Sequence, residues 1–147
     1  MDMQKLKPEI AQDEGWEHKI YLDHLGNPTF GIGHLIVEDD PEYGQEVGTE
    51  VSAKRVSEQF DADLQIVIQE CEALYGEQWN GFPEEVQHVL CNMMFNLGRT
   101  RLAQFENMRA AIDDGDWATA AAEGRDSLWY TQVTNRAERL MTRLENV

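Results

Sequence analysis

Apolar residues recur along most of this chain at intervals of three and four, the spacing that gathers them on one face of an α-helix. In "DMQKLKPEIAQDEG", Met3, Leu6 and Ile10 follow it; Pro8 is tolerable near a helix start or as a kink, so a short helix ending near Glu14 and Gly15 is expected. From Val56 the positions Phe60, Leu64, Val67, Ile68, Cys71 and Leu74 predict one long helix over 52–75. Ser52 can cap it, although Arg55 stands where a capping box would place Glu or Gln. In "PEEVQHVLCNMMFNLG", Pro83 marks the start and Gly98 the end of a helix whose stripe of Val86, Val89, Leu90, Met93, Met94 and Leu97 belongs in a core. A Met-rich stripe of this kind is packing material, not a cofactor pocket. "RLAQFENMRAAIDDGD" reads as one further helix stopping at Gly115, with Asp116 capping "WATAAAEG". "SLWY" and "TNRAERLMTRLENV" predict a short helical piece and a final amphipathic helix.

One region breaks this rhythm. "KIYLD" and "TFGIG" are short β-compatible runs on either side of "HLGNP", whose Gly26, Asn27 and Pro28 form turns, so a β-hairpin is expected. The acidic stretch "VEDDPEYGQEVGTE" then reads as a loop. The sum is an α+β chain, mostly helical.

Charge and composition narrow the function. With 12 Lys and Arg against 28 Asp and Glu among 147 residues, the net charge is −16, which opposes binding to nucleic acid or to anionic lipid. A hydrophobic content of 41% is enough for a buried core and places the acids on a folded surface. No run reaches the roughly 18 apolar residues of a membrane span, and "MDMQKLKPEIAQDEGW" lacks the apolar centre of a secretory signal, so synthesis in the cytoplasm without membrane insertion is expected. Cys71 and Cys91 fit neither a disulfide framework nor a metal-binding spacing, and read as two unpaired, inert thiols. Nothing suggests a metal, nucleotide or haem, and no cofactor is expected.

Candidate chemistry lies around the hairpin. Hydrolysis of a glycosidic bond needs a carboxylic acid to protonate the leaving oxygen and a second carboxylate to activate water or attack carbon. Glu14, where a helix ends, and Asp23, nine residues on at the end of a β run, can fold back toward one groove, and Thr29 across the turn could hold a water. In a chain with 28 acids, spacing alone does not separate such a pair from two solvated surface carboxylates.

The motifs themselves are more specific. "DEG", "KIYLD" and "GNPTFGIGH", followed in order by "NMMFNLG", "LAQF" and "SLWYTQVTNRAER", resemble the phage-type lysozymes of T-even type, the endolysins of glycoside hydrolase family 24. The likeness runs from about residue 1 to residue 143 with one shortened loop. It implies a lysozyme-like, two-lobed fold: a small β-hairpin lobe over 13–51, a connecting helix over 52–75, a helical lobe from 1–12 and 76–147, and a cleft that binds bacterial peptidoglycan. It implies Glu14 as general acid, Asp23 as the base that activates water and Thr29 as a water-positioning hydroxyl. It also implies cleavage between N-acetylmuramic acid and N-acetylglucosamine with inversion, hence carboxyl groups about 6.5–9.5 Å apart.

Further positions carry over residue by residue. Arg136 in "TNRAER" would hold the Glu14 carboxyl, although a cation there opposes the protonated state a general acid needs. His34 would pair with Asp63, each favouring the other's charged form, as a structural contact. Leu35, Asn96, Phe105, Ser127 and Val133 would touch saccharide or peptide, whereas Trp129 reads as a core anchor. Gly31 and Gly33 suit close approach of backbone in a cleft wall. Asn96 and Val133 stand where relatives have longer or more polar residues, which bears on the preference for peptide-bearing glycans.

The charge is unusual for an enzyme acting on a carboxylate-bearing wall, and the expectation is a protein that works in salty surroundings, where the Debye length shrinks from about 10 Å at 0.1 M to about 3 Å at 1 M. The resemblance implies a monomer released through a holin lesion, with carriage in a virion or as a bacterial effector left open. Two rival functions also remain open: a lytic transglycosylase, which needs no water-activating aspartate, and a non-catalytic wall-binding or virion protein that has kept the fold.

Overall fold

A computed structural model describes all residues, 1–147. The chain divides into two compact units, Gln4–Ile66 and a second made of Met1–Met3 with Val67–Val147. The first contains α1 (Met3–Glu14, save its first residue), three strands β1 (Glu17–Leu22), β2 (Pro28–Gly31) and β3 (His34–Leu35), and the start of the long helix α2 (Ala53–Tyr75). The second contains the end of α2, a 3-10 turn at Gly76–Gly81, and α3 (Glu84–Leu97), α4 (Arg99–Ala103), α5 (Glu106–Asp113), α6 (Trp117–Arg125), α7 (Leu128–Gln132) and α8 (Thr134–Glu145).

In the first unit, α1 carries Pro8 within it and buries Leu6 and Ile10 completely. Its last turn closes on Gly15, which donates its N–H to Ala11 O at 2.8 Å with φ at +70°, a conformation open to glycine at little cost. The sequence-based division placed residues 1–12 with the later helices. The structure instead groups the helix from Gln4 onward with the sheet, and Lys7 forms an ion pair with Asp61 of α2 inside that unit. The sheet is antiparallel in the order β1-β2-β3, with Tyr21 opposite Thr29 and Phe30 opposite His34. The expected loop runs from β3 to α2 and ends by lying along the outer edge of β1: Gly48 N–H donates to Ile20 O at 2.7 Å, Ile20 N–H to Thr49 O at 2.9 Å and Val51 N–H to His18 O at 2.8 Å. Ile20, Phe30, Val51 and Val56 form the small core under this sheet, flanked by Ile32 and Ile36. At Gly31, φ is +64° and an added Cβ would meet Val56 Cγ1 at 3.1 Å, so the position requires glycine for both reasons.

Ser52 caps α2 as expected, its Oγ accepting from Arg55 N–H at 3.1 Å. In the second unit, α3 is the central helix, with every residue from His88 to Met94 buried. The segment expected as one helix to Gly115 is two, α4 and α5, broken at Gln104 and Phe105. Phe105 leaves helical geometry at φ −80°, ψ +62° and sets its ring edge-on to Trp129, 6.2 Å between centroids, so packing overrides a local pattern that has no glycine or proline to announce a break. Asp116 caps α6 by accepting from Thr119 N–H at 3.1 Å. Helix α6 packs on α8, closely enough that a Cβ at Gly124 would lie 2.3 Å from Met141 Sδ. Cys71 and Cys91 are both free and buried, and each other's presence together with burial pushes the Cys71 thiol far up.

Candidate active site

Glu14 is the last residue of α1 and is half-buried. Asp23 follows β1 directly and builds the hairpin turn: its Oδ1 accepts from Leu25 N–H at 2.9 Å and from Asn27 N–H at 2.8 Å, while its own N–H donates to Asn27 O at 3.0 Å. The Asn27 N–H bond, with the Leu25 N–H and the nearby His24, holds this carboxyl below its usual range, so Asp23 is ionised near neutrality. A charged acceptor is thus fixed in place by backbone donors.

Thr29 is the next element of the site. It sits on β2 across from Tyr21, is 4% exposed, and its Oγ1 donates to Asn27 O at 2.9 Å. The same carbonyl therefore receives Thr29 from one side and Asp23 N–H from the other, which ties the hydroxyl to the turn that carries the carboxylate. Tyr21 was not singled out in the sequence. Burial raises its phenol first, and the negative charges of Glu14, Glu17 and Asp23 raise it further. Glu14 and Asp23 therefore both lie within electrostatic reach of one tyrosine. A partial signal was present: Tyr21 lies two residues before Asp23, at the end of β1 just ahead of the turn.

Below the hairpin, His34 lies between two carboxylates. Its Nδ1 is 2.8 Å from Asp63 Oδ2 and its Nε2 is 2.7 Å from Asp40 Oδ2. The contact with Asp63 is the one expected; Asp40, Arg55, Glu42 and Gln59 were not foreseen. Arg55 donates to both oxygens of the buried Glu42 at 2.9 and 3.0 Å, lies 3.7 Å from Asp40 Oδ1, and donates to Gln59 Oε1 at 2.8 Å; Gln59 Nε2 donates in turn to Asp63 Oδ1 at 2.7 Å. The side chains of His34, Asp63, Gln59, Arg55 and Asp40 thus close a ring, and the guanidinium carbon also sits 5.2 Å from the centre of the Phe30 ring. Burial pushes the His34 imidazole down, but the bonds to Asp63 and Asp40 outweigh it and raise the group above its usual value. Burial likewise opposes ionisation of Asp40, and the Val37 N–H, His34 and Arg55 overcome it and hold that carboxyl low. Leu35, beside His34 on β3, is 49% exposed.

The remaining predicted positions lie in the second unit. Asn96 Oδ1 accepts from Trp129 Nε1–H at 2.8 Å, and Trp129 is buried as expected for a core anchor. Phe105 and Ser127 both line a cavity of about 340 Å³ that also takes in Leu97, Met108 and Trp129, with Arg101 and Glu123 at its polar side. The Ser127 hydroxyl already has structural work: it accepts from Tyr130 N–H at 3.2 Å to cap α7 and donates to Gly124 O at 2.6 Å. Val133 is half-buried at the junction of α7 and α8. Arg136, on α8, donates from Nε to Asn92 Oδ1 at 2.8 Å, where Asn92 is fully buried in α3. No group of three His, Cys, Asp or Glu side chains is clustered to hold a metal ion.

Comparison with known proteins places the chain as a whole among relatives. The chain is 34% identical to the pre-baseplate central spike protein of Enterobacteria phage T4, over 89% of this chain and 26% of that protein. It is 28% identical to a probable T4-type lysozyme of Dictyostelium discoideum, over 95% of this chain and 93% of the relative. It is 29% identical to a peptidoglycan hydrolase of Pseudomonas phage phiKMV, over 97% of this chain but 15% of that much longer protein. Residues 11–146 match the phage lysozyme family, and the chain belongs to it.

Proposed function

We propose that this chain hydrolyses bacterial peptidoglycan at the β-1,4 bond between N-acetylmuramic acid and N-acetylglucosamine, with inversion at the anomeric carbon. It is a glycoside hydrolase of the phage lysozyme family, and relatives in that comparison are named as lysozymes and as a peptidoglycan hydrolase. The finer reading rests on one observation: a carboxylate kept ionised by backbone N–H groups at Asp23 shares the surroundings of Tyr21 with a second carboxyl group at Glu14.

In this reading Glu14 gives its proton to the leaving glycosidic oxygen as the bond to the anomeric carbon breaks. Asp23 takes a proton from a water whose oxygen attacks that carbon from the opposite face, and the Thr29 hydroxyl orients the water. One water is consumed, one new hydroxyl appears on each product, and the anomeric configuration is reversed. Leu35, Asn96, Phe105, Ser127 and Val133 are proposed to contact the glycan or its peptide, and His34 with Asp63 to support the hairpin. The enzyme is proposed to act as a monomer on the wall, reaching it either through a holin lesion or within a virion.

The test is a sacculus-clearing assay on the parent protein, Glu14→Gln and Asp23→Asn. Each substitution should lower the rate by about 10²–10⁴-fold. The Asn at 23 can still accept the two turn hydrogen bonds, so loss of activity there reports the charge. Equal clearing by all three proteins would remove the catalytic assignment. Products ending in anhydro sugars, one water lighter than hydrolysis products, would replace hydrolysis by transglycosylation, and a β-anomeric product would exclude inversion.

A further inference from the structure

The first unit carries a groove that the hydrolytic residues do not account for. It has a volume of about 710 Å³, and its lining includes Trp16, Glu17, Lys19, Glu50, Val51 and Ser52. Its walls are the start of β1 and the end of the loop that lies along β1, where Lys19 pairs with Glu50. Glu14, Asp23 and Thr29 are not among its lining residues.

Trp16 sets its character. This indole is 58% exposed, whereas Trp79 and Trp129 are each 2% exposed and serve the core. A side chain that could bury about 150–250 Å² is instead presented to solvent beside groups of both signs and a hydroxyl. A flat aromatic surface with adjacent hydrogen-bond donors and acceptors matches a pyranose ring, which offers an apolar C–H face and an edge of hydroxyl and amide groups. Nucleic acid bases would stack equally well, but Glu17 and Glu50 beside the indole, in a chain of net charge −16, repel a phosphate backbone. An aliphatic partner would leave Glu17, Lys19 and Glu50 facing apolar surface.

We propose that this groove is a second saccharide-binding site, in which Trp16 stacks on an N-acetylated hexosamine of the peptidoglycan strand. It holds the enzyme on the polymer without taking part in bond cleavage. The proposal rests on the peptidoglycan reading above for its ligand, and its value to the protein lies in retention: a chain repelled by a carboxylate-bearing wall gains from an uncharged contact that salt does not screen.

The experiment measures binding and cleavage separately. With Glu14→Gln as the uncut background, co-sedimentation with purified sacculi should weaken by roughly five-fold or more when Trp16→Ala is added, the loss expected of a central aromatic contact. Trp16→Phe should retain most of the binding. In the Glu14-intact protein, Trp16→Ala should slow clearing of sacculi while leaving the rate on a short soluble muropeptide unchanged. Sacculus binding by Trp16→Ala equal to its parent's overturns the proposal. So does a proportional loss of rate on the soluble muropeptide, which would make Trp16 part of the hydrolytic groove. Should Trp16→Ala fail to fold, Trp16→Gln, which removes the aromatic face at a position 58% exposed, decides the matter: it should weaken sacculus binding by roughly five-fold or more, and binding equal to its parent's overturns the proposal. If the parent protein binds sacculi through Trp16 and releases no products, the hydrolase reading fails and this one stands.

Discussion

Replacing His34 by Gln tests the ring of side chains beneath the hairpin most sharply. In the folded protein both imidazole nitrogens face carboxylate oxygens, at 2.8 and 2.7 Å, so only the doubly protonated ring donates to both. The side chains of His34, Asp40 and Asp63 are 12%, 12% and 18% exposed, so solvent screens these contacts little. Hydrogen bonds to charged groups contribute about 1.5–3 kcal/mol each, and removing one partner of a buried pair costs about 3–5 kcal/mol. Arg55 and Gln59 remain to share the two carboxylates, which places the loss for His34→Gln near 3 kcal/mol, or a fall in Tm on the order of 10 °C for a chain of this size. The sign of the pH dependence follows from the two directions. His34 is raised on folding, so its contribution is complete below the unfolded pKa of about 6.5 and is lost as pH rises through the higher folded value. Asp40 is lowered on folding, so its contribution is complete above about 3.9 and is lost as pH falls through the lower folded value. Urea unfolding followed by circular dichroism from about pH 5 to about pH 9 should therefore show the gap between parent and variant widest near pH 5–6 and closing toward pH 9. A gap of constant size across that range would refute the doubly bonded imidazolium.

Gly124→Ala should destabilise the protein by about 1–2 kcal/mol, because the overpacking against Met141 Sδ, about 1–3 kcal/mol, exceeds the helix-propensity gain of up to about 1 kcal/mol; Gly124→Ala combined with Met141→Ala should show non-additive melting. Cys71 and Cys91 should resist Ellman's reagent in the native protein and react on denaturation, since both are fully buried; rapid native labelling would contradict their placement. Sacculus clearing should rise with sodium chloride from low ionic strength, because the net charge of −16 is screened over a shorter distance. A rate that only falls as salt is added would show that repulsion does not limit encounter. Trp129→Phe, which deletes the indole N–H held by Asn96, should raise KM for a peptide-bearing glycan more than it lowers kcat; unchanged KM would remove Asn96 from the proposed contacts.

How far the sequence speaks depends on where each feature gets its energy. Helix α2 and helix α3 were legible because their apolar residues repeat over many turns and their ends carry Ser52, Pro83 and Gly98. The hairpin was legible from Gly26, Asn27 and Pro28. Strand β3 is two residues long, too short to show alternation, and it exists because β2 offers it an edge. The break between α4 and α5 comes from Phe105 meeting Trp129, a contact between residues 24 positions apart. Glu14 and Asp23 stood out by their likeness to a family, not by spacing among so many acids. Asp40 and Glu42 belong to an acidic loop that reads as solvated charge; only folding brings Arg55 across to them.

The covering of β1 by residues 48–51 has a consequence for the molecule in a crowd. A bare strand edge invites a neighbouring chain to add itself as the next strand, the first step toward fibres. Here one side of the sheet is already satisfied by the chain's own return, and the other ends in a two-residue strand too short to template a partner. Glu50, exposed on the returning segment, puts a charge at the margin that remains. Substitution of Gly48 or Thr49 that loosened this return would therefore be read first as turbidity at high protein concentration, ahead of any change in the far helices.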